Sequence, residues 1–403
     1  MPRILLPLVL CAALLPAARA QIVTHNPAEP AGGLVTMPLA EQWRVGGEDD
    51  DIFFGTVAGL ATTADGELLV LDGQQSQIQV YGQDGTWLRT LSREGAGPGE
   101  TRNPGGVFID HSGDVCLLHG MSGQIVRLHA DGTPAEARQF QSQAAGAGSL
   151  VILIGAGLAG DGLDVAGMRI IFGQASGNGQ MYFLSRCDTD GREQQVILEK
   201  LHPIDYADFV LDELAMDFVW SRWTTDQAGR TYVAPARNEY RIEVHAPDGS
   251  LERVITRDYT SYRRDAELKR IATLIVEAVG AYHPVPPRAV TIEDTEPDIL
   301  GMWVAPDGLL WVQTSRGMHD KPAGAYAAYD LFDPAGTFLR QVALICDADP
   351  RKDGLSMLSD GRIVVVTGSL DAWLAQQQVE RSEAELDAAA ANPLEVVVYS
   401  PAR

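Results

Sequence analysis

The sequence predicts an all-β protein: a six-bladed β-propeller with four-stranded antiparallel blades, closed by an N-terminal strand in the last blade and carrying short helical insertions. Two observations predict it. A meander of four short strand-like runs, broken by Asp-Gly and similar pairs, recurs along the chain at intervals of roughly 40–50 residues. The last copy is one strand short, and a strand-like segment is left over before the first.

Residues 1–20 read as a secretory signal peptide. Met1-Pro2-Arg3 is a short basic start, Ile4 to Pro16 is an apolar core, and Ala18 and Ala20 are small residues at the positions that determine cleavage. The run is too short to anchor the chain in a membrane, and Pro7 and Pro16 break it. Residues 21–34 then form a mature N-terminal extension and residues 35–403 the propeller, in a protein that is exported, periplasmic or extracellular. Without the leader three cysteines remain, Cys116, Cys187 and Cys346, so at most one disulfide can form and buried thiols are expected.

Blade one occupies residues 59–91, with tight turns at Asp65-Gly66 and Asp84-Gly85, residue types that tolerate the positive φ of a two-residue hairpin. Blade two covers 106–140, with Ser112-Gly113 and Asp131-Gly132, and blade four 218–259, with Ala228-Gly229 and Asp248-Gly249. Blade five runs over 299–345 around Asp307-Gly308 and Ala335-Gly336, and blade six begins at Gly354 with Asp360-Gly361. Blade three, within 150–198, is marked clearly by Asp190-Gly191 alone. After Gly361 only residues 362–366 and 395–399 read as strands, so residues 39–45 are expected to supply the missing outer strand of blade six.

A competing architecture places an α/β domain after residue 150, because Gly155-Ala156-Gly157-Leu158-Ala159-Gly160 matches G-x-G-x-x-G behind an apolar run. A dinucleotide site needs a helix next and then a strand ending in an acid about 20 positions on. Here Gly160, Gly162 and Gly167 fall where that helix should run, and no acid closes a strand at that distance. The glycines read as a tight loop in blade three.

The unit LLVLDGQQSQIQVYGQDG at 68–85 is similar to NHL-type repeats, and REGAGPGETRNPGGVFID at 93–110 resembles the Gly-x-Gly-Pro-Gly-Glu joint that precedes a blade in exported bacterial six-bladed β-propeller proteins. The resemblance runs over nearly all of 35–403 and is specific in blades one and two and the first halves of four to six. It implies the fold, while many members of that family have no assigned activity. Related propellers include a lyase with a histidine-bound zinc and calcium-dependent lactonases. The resemblance therefore keeps a metal-dependent hydrolase or lyase, using Ca or Zn at the channel mouth, as the alternative. Neither ligand set maps onto this sequence, which has no HExxH, no close histidine pair and no G-x-S-x-G. No cofactor is predicted.

Function is expected on one face. The turns inside the hairpins are minimal, whereas the long segments 92–105, 199–217, 262–296, 315–325 and 368–393 all fall on the opposite side, which makes that side the default binding surface. Helices are expected near 262–283 and 370–391. In the first, Leu268, Ile271, Ala272, Ile275 and Val279 form an apolar stripe. The position six residues past each first-hairpin glycine reaches the mouth of that face: Asp72, His119, Pro235, Thr314 and Thr367. Asp72 suits a loop hydrogen-bonder or a ligand contact, and the imidazole of His119 suits a base or a ligand. Trp220, Arg222, Trp223 and Trp303 stand at the starts of blades four and five, where aromatic walls with one Arg could hold a sugar, a peptide or an anion, or simply fill the core. The acidic run Glu48 to Asp51 lacks the alternation of a calcium loop and reads as solvated.

Charge limits the partners. With Lys+Arg 31 against Asp+Glu 54 and a net charge of −23, nucleic acid is excluded as the main ligand, because that binding depends on neutralising phosphate. The expectation is a monomeric binding module without a membrane span, whose partner is a peptide, a glycan or a protein, rather than an enzyme.

Overall fold

The computed structural model describes residues 22–48, 52–142, 150–174, 177–377 and 394–402. The signal peptide read at 1–20, the acids Asp49, Asp50 and Asp51, and the part of the second helical insertion beyond residue 377 lie outside the described residues.

The chain opens with β1 (Ile22–Asn26) and β2 (Leu34–Gly46) and then folds as successive antiparallel meanders. The first is β3 (Val57–Thr62), β4 (Leu68–Asp72), β5 (Gln77–Tyr81) and β6 (Trp87–Leu91). The second is β7 (Val107–Ile109), β8 (Val115–His119), β9 (Gln124–Leu128) and β10 (Pro134–Gln139), and the third β11 (Leu150–Ala159), β12 (Gly162–Gln174), β13 (Gly177–Cys187) and β14 (Glu193–Ile204). A link containing β15 (Val210–Asp212) and α1 (Glu213–Met216) leads to β16 (Trp223–Thr225), β17 (Thr231–Val233), β18 (Arg241–His245) and β19 (Leu251–Arg257). A second link holds α2 (Ala266–Gly280) and β20 (Ala289–Thr291). It leads to β21 (Ile299–Val304), β22 (Leu310–Thr314), α3 (Ser315–His319), β23 (Ala327–Phe332) and β24 (Phe338–Ile345). The last strands are β25 (Gly354–Met357), β26 (Ile363–Val366) and, after α4 (Ser369–Gln376), β27 (Glu395–Pro401).

First strands of neighbouring meanders touch, β3 with β7, β11 with β16 and β16 with β21, so the sheets stack face to face in a propeller-type fold. That stacking explains why β4 reads as an unbroken apolar run: both of its faces are covered, and Leu68, Leu69, Val70 and Leu71 are fully buried. Leu69 and Leu71 pack with Val115 and Leu117 of the next meander, while Leu68 and Val70 pack with Val364, Val396 and Val398 of the last. Each fully buried leucine contributes roughly 1.5–3 kcal/mol.

The N-terminal extension is a strap of strands. β1 adds parallel to the outer strand β19, the first half of β2 adds parallel to β24, and Leu39 to Gly46 pair antiparallel with β27. Asn26 fastens it. Its buried amide donates to Thr256 O (3.1 Å) and Gly336 O (3.0 Å), and its Oδ1 accepts from Phe338 N (2.8 Å). Nearby, Arg257 donates to Ala28 O (2.6 Å) and pairs with the fully buried Asp330.

The minimal-turn face is consumed by contacts between sheets. Arg89 reaches Ala130 O (3.1 Å), Arg186 reaches Ala246 O (2.8 Å), Arg253 reaches Ala335 O (2.6 Å) and Arg362 reaches Gly66 O (2.9 Å). Gly85, at φ +83°, sits so close to Trp43 that a Cβ would lie 2.7 Å from its ring.

Two local expectations change. Gly155 and Gly157 do not form a loop: they lie within β11, where the absent side chains admit the Trp223 ring to within 3.3 Å and 3.5 Å of where a Cβ would stand. The segment read as helical near 262–283 contains α2, capped by Asp265, whose side chain accepts from Leu268 N (2.9 Å). Of the expected stripe Ala272 is buried, together with Val276, Ala278 and Gly280, while Ile275 and Val279 are exposed. Small residues win because α2 lies tight on Leu211: a Cβ on Gly280 would approach it to 2.3 Å. The insertions also interlock, with β15 parallel to β20 and α4 against α2. The three described cysteines are free, Cys116 and Cys187 buried and Cys346 partly so.

Candidate functional site

In four of the meanders the end of the second strand holds a polar side chain that latches a loop or the strand beside it, while the fourth meander has Pro235 there. Asp72, buried, accepts from Gly55 N (2.7 Å), Gln75 N (2.9 Å) and Thr56 N (3.4 Å). Thr314 accepts from Gly317 N (2.9 Å) and so caps α3, and Thr367 accepts from Glu395 N (3.0 Å). At His119 an imidazole takes that place: its Nδ1 accepts from Arg102 N (3.3 Å) and meets Thr101 Oγ1 at 2.8 Å. A ring nitrogen that accepts a backbone N–H carries no proton, so in the neutral ring the proton sits on Nε2. Burial, and then the charge of Arg102, push the His119 pKa below the ordinary imidazole value, which keeps the ring neutral.

His119 lines an open groove of ≈ 550 Å³ between the joint that follows β6 and the last two strands of the second meander, β9 and β10. The joint is Gly95-Ala96-Gly97-Pro98-Gly99-Glu100, and its geometry is built in. Glu100 folds back to accept from Gly97 N (2.8 Å) and pairs with Arg93 (2.6 Å), and Ser92 Oγ donates to Gly99 O (3.1 Å). Gly99 is held at φ +76° against Leu128 and Pro134, where a Cβ would come within 2.7 Å of Leu128. Arg102, Ser122, Gln124 and Glu136 line the groove with His119, over a floor that includes Val126. Sequence reasoning missed these four, although the register that sets His119 opposite Gln124 follows from the hairpin.

The other candidates lie elsewhere. Trp220, Trp223 and Arg222 are together at the start of β16: Trp220 packs edge-on to Tyr182 (5.1 Å) and beside Phe218 (4.8 Å), in the same cluster as Trp223. Arg222 is buried and bidentate to Asp217 (3.0 and 2.7 Å). Trp303 sits near the turn end of β21, opposite Trp311 and edge-on to Tyr329 (5.8 Å), in a different cluster. The structure therefore brings Trp220, Arg222 and Trp223 together, places Trp303 on the adjoining strand but in a different cluster, and sets Asp72 and His119 in the first and second meanders.

Beside Arg222, Glu213 is the hub of the interlocked insertions. It accepts from Arg264 (2.7 and 2.8 Å), Arg237 (2.9 Å) and Glu293 N (2.9 Å). Burial alone would raise its pKa, but these hydrogen bonds and the charges of Arg237 and Arg264 outweigh it and hold the carboxyl below its usual range. Among the described residues no group of three His, Cys, Asp or Glu side chains is placed to hold a metal ion. Nor is any helix among them long and apolar enough to cross a membrane.

Fold and groove define a propeller-type protein with a polar side groove walled by a glycine-rich joint. No protein-family model matches the chain, and no curated protein does. Among solved structures it is similar to a Bacteroides fragilis protein assigned as exported (10% identity, TM-score 0.46, covering 94% of this chain and 100% of that one). It is also similar to the calcium-binding protein regucalcin from Agrobacterium tumefaciens (9% identity, TM-score 0.43, 91% and 97%) and to virginiamycin B lyase from Staphylococcus aureus (9% identity, TM-score 0.40, 89% and 99%). These likenesses concern the fold, and the activities belong to those proteins.

Proposed function

We propose that the chain is an exported, monomeric binding module: a six-bladed propeller over 35–403, behind a leader at 1–20 and the extension 21–34, that captures a small ligand on its loop-rich face. The observation that carries this reading is the groove at His119, where the glycine-rich joint and two strands bring together polar side chains of which Arg102 and Glu136 have no side-chain partner among the described residues. Pairing of residues 39–46 with β27, and the packing of the first meander against both the second and the last, support six blades and their closure.

The test is a thermal-shift screen of the full chain against amino acids, dipeptides, sugars and small organic acids, repeated on Gln124→Trp, which fills the groove. At least one class should raise the melting temperature saturably in the parent and not in the filled variant. If no class does so, the binding reading is wrong. Stoichiometric calcium or zinc in the purified protein would move the reading to a metal-dependent hydrolase or lyase.

A further inference from the structure

The groove is polarised, and its uncommitted charges sit at different depths. Four residues that line it have side chains able to carry charge: Glu100, Arg102, His119 and Glu136. Glu100 is occupied by Arg93 and Gly97 N, and the neutral ring of His119 is fixed through Nδ1 by Arg102 N and Thr101. The guanidinium of Arg102 and the carboxylate of Glu136 have no partner among the described residues, and both are exposed.

Strand register sets their spacing. His119 pairs with Gln124 at the loop-side end of the β8–β9 hairpin, and Arg102 N is hydrogen-bonded to that same imidazole. Further along, Ala135 pairs with Arg127 and Arg138 with Ile125, so Glu136 and Ala137 form a bulge opposite Val126. Val126 is two residues from Gln124, a displacement of about 7 Å along the strand, and β8 and β10 flank β9 at about 4.8 Å on either side, so the backbones of His119 and Glu136 stand about 12 Å apart with their side chains lining the groove between them. One end of the groove therefore offers hydrogen-bond donors, the Arg102 guanidinium and the Nε2–H of His119 with the Gln124 amide beside them. The bulge offers an anion, and Val126 lies between.

We propose that this groove binds a short zwitterionic peptide, its carboxylate at Arg102 and His119 and its ammonium at Glu136. Extended peptides of two to three residues separate their terminal charges by about 7–11 Å, at roughly 3.3–3.6 Å per residue, and the Arg102, His119 and Glu136 side chains that line the groove span the remainder. A lone anion would leave Glu136 unmatched, and a neutral sugar would match neither charge. The proposal rests on the binding reading above and specifies its ligand class.

Calorimetric titration of the full chain with alanyl-alanine, its N-acetyl form and its C-terminal amide tests it. The free dipeptide should bind at least tenfold more tightly than either capped form. Glu136→Gln should abolish the preference against the N-acetyl form alone, and Arg102→Gln the preference against the amide alone. Both side chains are exposed and unpaired, so both variants should fold. Equal binding of all three probes, or selectivity unchanged in the two variants, overturns the peptide assignment. If none of the three binds while a sugar or another class from the screen gives a shift that Gln124→Trp removes, the peptide assignment falls and the groove stands as a binding site. If no class in the screen binds, both fall.

Discussion

Replacing Asn26 by Ala removes the side chain that ties the N-terminal strap to two sheets at once. The amide bonds Thr256 O, Gly336 O and Phe338 N, and the residue is 3% exposed. Alanine leaves the Gly336 carbonyl and the Phe338 N–H buried without partners, at about 1–3 kcal/mol for each, while the Thr256 carbonyl is only partly buried and can recover water. The expected loss is about 2–6 kcal/mol, read as the change in unfolding free energy from urea denaturation followed by tryptophan fluorescence. Hydrogen exchange should show where it goes: amides of β1 and β19 should lose protection before those of β4. Asn26→Asp should be at least as damaging, because it keeps the acceptor for Phe338 N but sets a carboxylate against two carbonyl oxygens. If Asn26→Ala unfolds within 0.5 kcal/mol of the parent (about the spread of neutral surface changes) and β1 stays protected, the strap is not a fastener and the reasoning is wrong.

Three further outcomes are expected. Asp72→Ala should cost about 2–4 kcal/mol, because a buried carboxylate that gathers three backbone N–H groups is lost, whereas Asp65→Ala in the exposed turn should cost far less; comparable costs would remove the latch role. His202 is buried beside Tyr182, and burial, followed by the charges of His283 and Lys200, depresses its pKa, so the unfolded chain takes up a proton near the ordinary value of 6.5 that the native ring refuses. Stability should therefore fall as pH drops from 7.5 to 5.5, by up to about 1.4 kcal/mol from this group, and His202→Gln should flatten that part of the slope; an unchanged slope refutes the assignment. Burial pushes the thiols up, Cys116 to about 12 and Cys346 to about 11, so an alkylating reagent should label Cys346 alone, and slowly, in the native protein, and reducing agent should leave the melting temperature unmoved.

Much of the propeller was legible because its signals are local. Asp65-Gly66 and Asp84-Gly85 announce their hairpins within four residues, and the unbroken apolar run of β4 announces a strand covered on both faces. The strap was not legible past residue 39, since β1 reads IVTHN with no periodicity and finds its partner, β19, some 230 residues away in sequence. On α2 two helical stripes that share Ala272 compete, 268-271-272-275-279 and 272-276-280. Bulk favours the first, and the tight approach of Leu211 to Gly280 selects the second.

The site divides along the same line. Counting from the turn glycines reached both Asp72 and His119, because repeat position is a local quantity, but it could not separate their roles. Both accept backbone N–H groups from a neighbouring loop. A carboxylate spends both oxygens on that task, whereas an imidazole spends one nitrogen and keeps a second, donor nitrogen at the groove. What completes the site depends on tertiary placement: Arg102 is brought to His119 by the fold of the glycine joint, and Glu136 is exposed by a bulge whose register only the paired strand defines. Trp303 fails to join Trp223 for a related reason. Counted back from the turn that follows, it stands one position nearer than Trp223 does, so strand alternation turns it to the opposite face, into the cluster of Tyr329 rather than that of Tyr182.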